Sequence, residues 1–153
     1  MSTPTPRHDI KILNSLIETT LDSVDGYSEA AKDAANPNYK SLFQQRATER
    51  RQVVNDLQGQ VRVLGGTPDD DGSILAAGHR VFLKLRDSLT KGDQSVIDEV
   101  ERGEDHIKAK YESALEDAEL SASVRDVVVR AYSSVKSGHD QMRDLKQAVH
   151  KSH

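Results

Sequence analysis

The chain has no cysteine. That excludes disulfide bridges, thiolate metal ligands and cysteine nucleophiles at once. Tryptophan is missing as well, and aromatic residues make up only 4% of the 153 positions. So lean a set of large side chains suits helices that each bury a narrow stripe better than a globule of mixed structure. Long apolar runs are absent too: no stretch approaches the ~20 residues needed to cross a bilayer. The opening segment MSTPTPRHD carries no apolar core of the signal-peptide kind, so the expected location is the cytoplasm. Neither sign of charge predominates strongly. Lys and Arg number 21 against 25 Asp and Glu, for a net charge of −4, and the two signs are interspersed. This pattern gives no reason to expect nucleic acid or a membrane as partner. Ser, His and Asp recur along the chain without a strained nucleophile turn or a Gly-rich phosphate loop. No catalytic constellation and no small-molecule substrate is indicated.

What the sequence does have is helical periodicity. After a tail at 1–5, Thr5-Pro6 forms a helix start, with Thr as N-cap and Pro at the first helical position. Apolar or small residues then fall at Ile10, Leu13, Ile17, Thr20, Val24, Tyr27 and Ala31, a 3-4 spacing that predicts one helix over 6–35. Asn36-Pro37 ends it and caps a second helix over 37–64, with Phe43, Ala47, Val53, Val54, Leu57 and Val61 on one side. Gly65-Gly66 stops that helix, and the TPDDDGS stretch is rich in turn residues. A shorter amphipathic helix is expected over 73–90, with apolar residues on more than one side, Leu75 and Leu83 beside Val81 and Leu85. A third long helix is expected over 94–118, capped by Asp93 or Ser95, with Ile97, Glu104, Ile107, Tyr111 and Ala118 in heptad positions. Ser123 is the expected cap of a fourth over 123–149, through Val124, Val128, Ala131, Val135, Gly138 and Met142.

These elements make one domain over 6–150. The first two helices, and the last two, are joined so tightly that each pair must fold back as an antiparallel hairpin. Helices of this length are ~40 Å long at 1.5 Å per residue. The long connection between the hairpins can therefore travel the length of the bundle, so that the third helix starts at the same end as the first or the second. The expected fold is all-α: a four-helix bundle with a long crossover between its second and third helices, containing a short extra helix.

One crossover between two hairpins is the ferritin-like arrangement. The two halves also look like weak copies of each other. Thr20 precedes Tyr27 by seven residues, Glu104 precedes Tyr111 by seven, and the tyrosines lead into SEAAKDA and ESALEDA. The stretches LNSLIETTLDSVDGY, SLFQQRATERR, LGGTPDDDGS, GHR and VERGEDH followed by Tyr111 cover most of residues 10 to 115. On them the chain resembles an uncharacterised bacterial family of four-helix-bundle proteins within the ferritin-like superfamily. The resemblance implies the fold and assigns no reaction.

In the iron and manganese members of that superfamily, two helices each supply a Glu and the other two each supply a Glu-x-x-His pair. The resemblance to rubrerythrin-like patterns puts the first ligand, seven residues before a Tyr, on Thr20. It puts the ligands that follow a Phe by seven and ten residues on Arg50 and Val53. Thr is not a ligand of this class, and Arg stays charged and cannot ligate a cation. At ~100° per residue, Glu18 points away from its stripe, towards water. Glu104 keeps an inward heptad position, Glu101 lies a turn earlier near the edge, and the fourth helix offers only His139 beside Gly138. The expectation is therefore no native di-metal centre and no cofactor. The alternative is a divergent iron or manganese protein, an oxidase, peroxidase or metal store, using Glu49, Glu101, Glu104 and His139.

Arg50 and Glu104 both fall on inward stripes near mid-bundle. An Arg and a Glu buried together avoid an unpaired charge, and the guanidinium fork can hold the carboxylate at two points. A buried polar layer of Arg50 and Glu104 is expected, joined by Arg46 one turn earlier. The remaining histidines suggest no site: His79 sits at the edge of the crossover helix, His106 points off the stripe, and His150 and His153 lie in the tail. The acidic run from Asp69 resembles a calcium loop, but its twelfth position is Arg80 rather than Glu. A complete fold signal with an incomplete ligand set points to a non-enzymatic bundle acting through its surface. It would do so by forming a homodimer or binding a protein partner, with a stress response as the expected setting.

Overall fold

The computed structural model describes residues 6–69 and 92–151. The tail at 1–5 with its Thr5 cap, the helix expected over 73–90 with its second apolar face, His79, and the loop beyond Asp69 all lie outside the described residues. Within them the chain is all-α: α1 is Pro6–Asp33, α2 Pro37–Val63, α3 Asp93–Leu115 and α4 Ala122–Lys151. No helix among the described residues is long and apolar enough to cross a membrane.

The helix ends explain the tight hairpins. Asn36 is the N-cap of α2, its side-chain oxygen accepting from the Asn38 N–H at 2.8 Å, with Pro37 next to it at the first helical position. Lys40 reaches back from α2, and its ammonium donates to the Ala31 and Lys32 carbonyls at the end of α1. At the other end of α2, Gly65 takes the left-handed φ of 81° that a Schellman turn needs. Its N–H donates to Arg62 O, and the Gly66 N–H to Val61 O.

Several ends differ from the sequence reading: the first helix stops at Asp33 rather than 35, and the fourth runs to Lys151 rather than 149. The third helix stops at Leu115 rather than 118, because the guanidinium of Arg125 in α4 donates to the Leu115 and Asp117 carbonyls and holds the chain in a turn. The fourth starts at Ala122, since the hydroxyl of Ser121, not Ser123, accepts from the Val124 N–H. Asp93 does not cap its own helix. Gly92 occupies that position without a side-chain hydrogen bond, and the Asp93 carboxylate accepts instead from the Ala35 N–H at 2.7 Å and the Asn36 N–H at 3.0 Å.

That contact fixes the topology. The start of α3 lies against the α1–α2 turn, at the opposite end of the bundle from Val63 where α2 finishes. The described ends of the connection, Leu64 and Gly92, therefore lie at opposite ends of α2, which is ~40 Å long for 27 residues at 1.5 Å each. Each helix packs on two antiparallel neighbours: α1 and α4 both lie against α2 and α3. Asp93→Ala removes two charge-assisted hydrogen bonds from the turn that anchors this register. We expect it to lower stability by about 1–3 kcal/mol, read by urea unfolding. Asp93→Asn, which keeps one acceptor oxygen, should lose less.

The core is divided. One apolar cluster holds Leu13, Ile17, Leu57, Val61, Ile107, Val124 and Val128; the other holds Tyr27, Ala30, Phe43, Ala47, Val96, Ile97 and Met142. Between them, at mid-bundle, run the residues that carry charge.

Candidate functional site

Every helix contributes to the layer between the two clusters. From α2, Arg50 extends inward at a position that lies three residues from both Ala47 and Val53 on the buried stripe, and it is 0% exposed. From α3, Glu104 meets it at 2% exposure. The two helices are diagonal across the bundle, so only long side chains can meet at its centre. They meet as a fork on a fork. Nη1 donates to Glu104 Oε1 at 2.8 Å and Nη2 to Oε2 at 2.6 Å. From α1, the Ser23 hydroxyl accepts a further bond from Nη1 at 2.7 Å, and the Tyr27 ring lies under the guanidinium, 5.5 Å from its centroid. From α4 comes space. A Cβ at Gly138 would stand inside the 3.0 Å that real Cβ contacts keep from Arg50 Nη2, and 3.0 Å from Glu104 Oε2. The Nε–H of Arg50 has no hydrogen-bond partner among the described residues.

Electrostatics follow from this packing. Burial pulls the Arg50 pKa down, but the charge and hydrogen bonds of Glu104 outweigh it and hold the cation above its ordinary value. Burial first, then the negative charge of Glu104, push the Tyr27 hydroxyl well above its usual value. A turn away, Thr20 donates to the Leu16 carbonyl at 2.6 Å and accepts from the Tyr111 hydroxyl at 2.7 Å. Burial takes Tyr111 up to about 12. The internal repeat is thus reciprocal: Tyr111 of α3 serves Thr20 of α1, while Tyr27 of α1 lies against the pair that Glu104 of α3 makes.

Arg46 lies beside the layer without entering the ion pair. Its Nε donates to Gln141 at 2.7 Å and its Nη1 to Glu49 at 2.6 Å, an i, i+3 pair along α2. Glu101 sits at the seam of α3 and α4, 3.3 Å from the Lys146 ammonium. His139 is also on that seam, 8% exposed, with Nε2 at 2.7 Å from Asp105 and Nδ1 at 3.1 Å from Asp140. His106 is exposed, and His150 bonds Asp98 and Gln94 near the start of α3. Glu18, expected in water, is half-buried instead. A hydrogen bond with Asp69, followed by burial, raises its pKa.

Glu49, Glu101, Glu104 and His139 therefore do not converge on one point: Glu101 and His139 share the α3–α4 seam, while Glu49 and Glu104 lie elsewhere. Each carboxylate faces a different basic side chain, and the imidazole lies between two further acids. Two metal ions in this interior would need a ring of carboxylates and imidazoles where the Arg50 guanidinium stands. The residues present do not fit such a centre.

One contributor escapes a reading of single-helix stripes, and another is found on its stripe without its role. Ser23 supplies an acceptor from beside the α1 stripe, and Gly138, on the α4 stripe, supplies room. Asp9, 3% exposed in the first turn of α1, is a third buried acid; it accepts from the Ser121 N–H and ties α1 to the α3–α4 turn. An acid in a first helical turn was the available signal.

No curated protein matches the chain. A family model matches residues 8–117, a stretch that carries Ser23, Arg50 and Glu104 but stops short of Gly138 and His139. With well over half its length matched, the chain belongs to the family described as a domain of unknown function, DUF2383.

Proposed function

We propose that this protein is a ferritin-like bundle that works without a di-metal centre. It acts through its surface, by self-association or by binding a protein partner, in the cytoplasm and in a stress setting. The observation that carries the reading is the Arg50–Glu104 pair at the bundle's midpoint. A guanidinium held at two points by the Glu104 carboxylate supplies the positive charge that metal ions supply elsewhere in such folds. The competing reading, an iron or manganese carboxylate protein, requires Glu49, Glu101 and Glu104 to leave their cations and turn with His139 toward one point.

The test uses untagged protein purified after growth with added iron and manganese, analysed for metal and by light scattering. The expected result is no metal that depends on Glu104, and a mass above the 16.9 kDa of one chain. Two ions per chain that disappear in Glu104→Gln would overturn the reading. A single-chain mass at all concentrations would remove self-association and leave partner binding, to be sought by co-purification.

A further inference from the structure

Positions 101 and 105 of α3 are one turn apart and share a face. The antiparallel α4 brings His139 against that face. A ligand atom from each of Glu101, Asp105 and His139 lies within 4.8 Å of the others. None of the three takes part in the interior layer. We propose that they form a site for a single first-row divalent cation of the zinc type, on the α3–α4 seam. This goes beyond the functional reading and does not depend on it.

The chemistry of the donors supports a cation of that class. One imidazole and two carboxylates are borderline and hard ligands, the set that zinc, iron(II) and manganese(II) accept. Zinc takes nitrogen at ~2.0–2.1 Å and carboxylate oxygen at ~2.0–2.2 Å, which places ligand atoms about 3–3.5 Å apart. The gap to 4.8 Å is within side-chain reach, because the Asp105 side chain is 59% exposed and can turn once its bond to His139 is released. His139 itself is already oriented. Asp140 holds Nδ1, the carboxylate–imidazole arrangement that fixes a metal-binding ring, and this leaves Nε2 directed at the Asp105 side. The exposed flank beside Asp105 leaves room for water to complete the coordination. Two contacts must give way to a divalent ion: the proton that His139 Nε2 shares with Asp105 at 2.7 Å, and the Lys146 ammonium that occupies the Glu101 carboxylate.

The Lys146 contact makes the test directional. Untagged full-length protein is titrated with zinc chloride by calorimetry in a non-chelating buffer. The expected result is one ion per chain, with binding weakened at least tenfold in each of Glu101→Gln, Asp105→Asn and His139→Asn. Lys146→Met should tighten binding severalfold by removing the competing cation. Because the Asp105 side chain is mostly exposed, Asp105→Asn is the variant whose fold is safest, and its melting curve checks this. Binding that survives His139→Asn but is lost in His8→Asn would assign the ion to a second such group among the described residues, His8, Asp117 and Glu119, and overturn the proposal. So would loss only in His150→Asn, absence of zinc binding altogether, or weaker binding in Lys146→Met. Glu104→Gln should leave the stoichiometry at one; a drop from two ions to fewer in that variant sinks the functional reading instead.

Discussion

Replacing Arg50 by Met is expected to cost about 3–5 kcal/mol of folding stability, and Glu104→Leu a similar amount, while the double variant returns to within ~1–2 kcal/mol of the parent. The asymmetry comes from burial. Glu104 is enclosed, and its two oxygens are satisfied by the two Nη groups of Arg50. Removing Arg50 leaves a carboxylate that must stay charged without a partner or take up a proton; removing Glu104 strands a guanidinium in the core. Replacing both removes the desolvation penalty together with the attraction, and apolar residues of similar volume can join the two flanking clusters. Urea unfolding of the four proteins closes the cycle, and the coupling energy should be several kcal/mol. Additive losses in the double variant would mean that the two side chains contribute separately.

The layer was partly legible in the sequence because helical periodicity is a local property. Counting 3-4 steps from Phe43 through Ala47 reaches Arg50, and from Ile97 through Val100 reaches Glu104, without knowledge of any neighbour. The same counting located the stripes of all four helices and the breaks at Asn36-Pro37 and Gly65-Gly66. It could not say which stripe faces which. Asp93 looked like a cap for its own helix because a sequence shows only its neighbours along the chain; the N–H groups it serves belong to Ala35 and Asn36. Arg46 is one turn from Arg50, yet the packing of α4 brings Gln141 to it and Glu49 competes from the next turn, so it remains outside the pair. His139 was visible only as a flank residue. Its partner Asp105 lies on another helix, off the inward stripe, where no apolar pattern marks it. The end of α3 was missed for a similar reason, since Arg125, from the following helix, holds the carbonyls that stop it.

Gly138→Ala should reverse its sign with the state of the layer. In an ordinary helix interior, Ala in place of Gly stabilises by roughly 0.5–1 kcal/mol through the unfolded chain's lost freedom. Here the new Cβ would meet Arg50 Nη2 inside any real Cβ contact and press on Glu104 Oε2. An exposed arginine would swing aside at little cost. This one is held by two bonds to Glu104, a third to Ser23, and the Tyr27 ring beneath it, so moving the head breaks several contacts together. We expect Gly138→Ala to lose about 2–4 kcal/mol in the parent, overpacking combined with partial loss of the buried pair. In the Arg50→Met, Glu104→Leu background there is no guanidinium to displace, and a flexible Met can yield. There the same substitution should be neutral or stabilising by up to ~1 kcal/mol. Chemical denaturation of the four proteins gives both values. A Gly138→Ala cost that is equal in the two backgrounds would show that the glycine serves the helix backbone or its packing on α2, and not the head of Arg50. A smaller cost in the double variant than in the parent would identify the missing side chain on α4 as the feature that lets an arginine reach a carboxylate across the bundle diagonal.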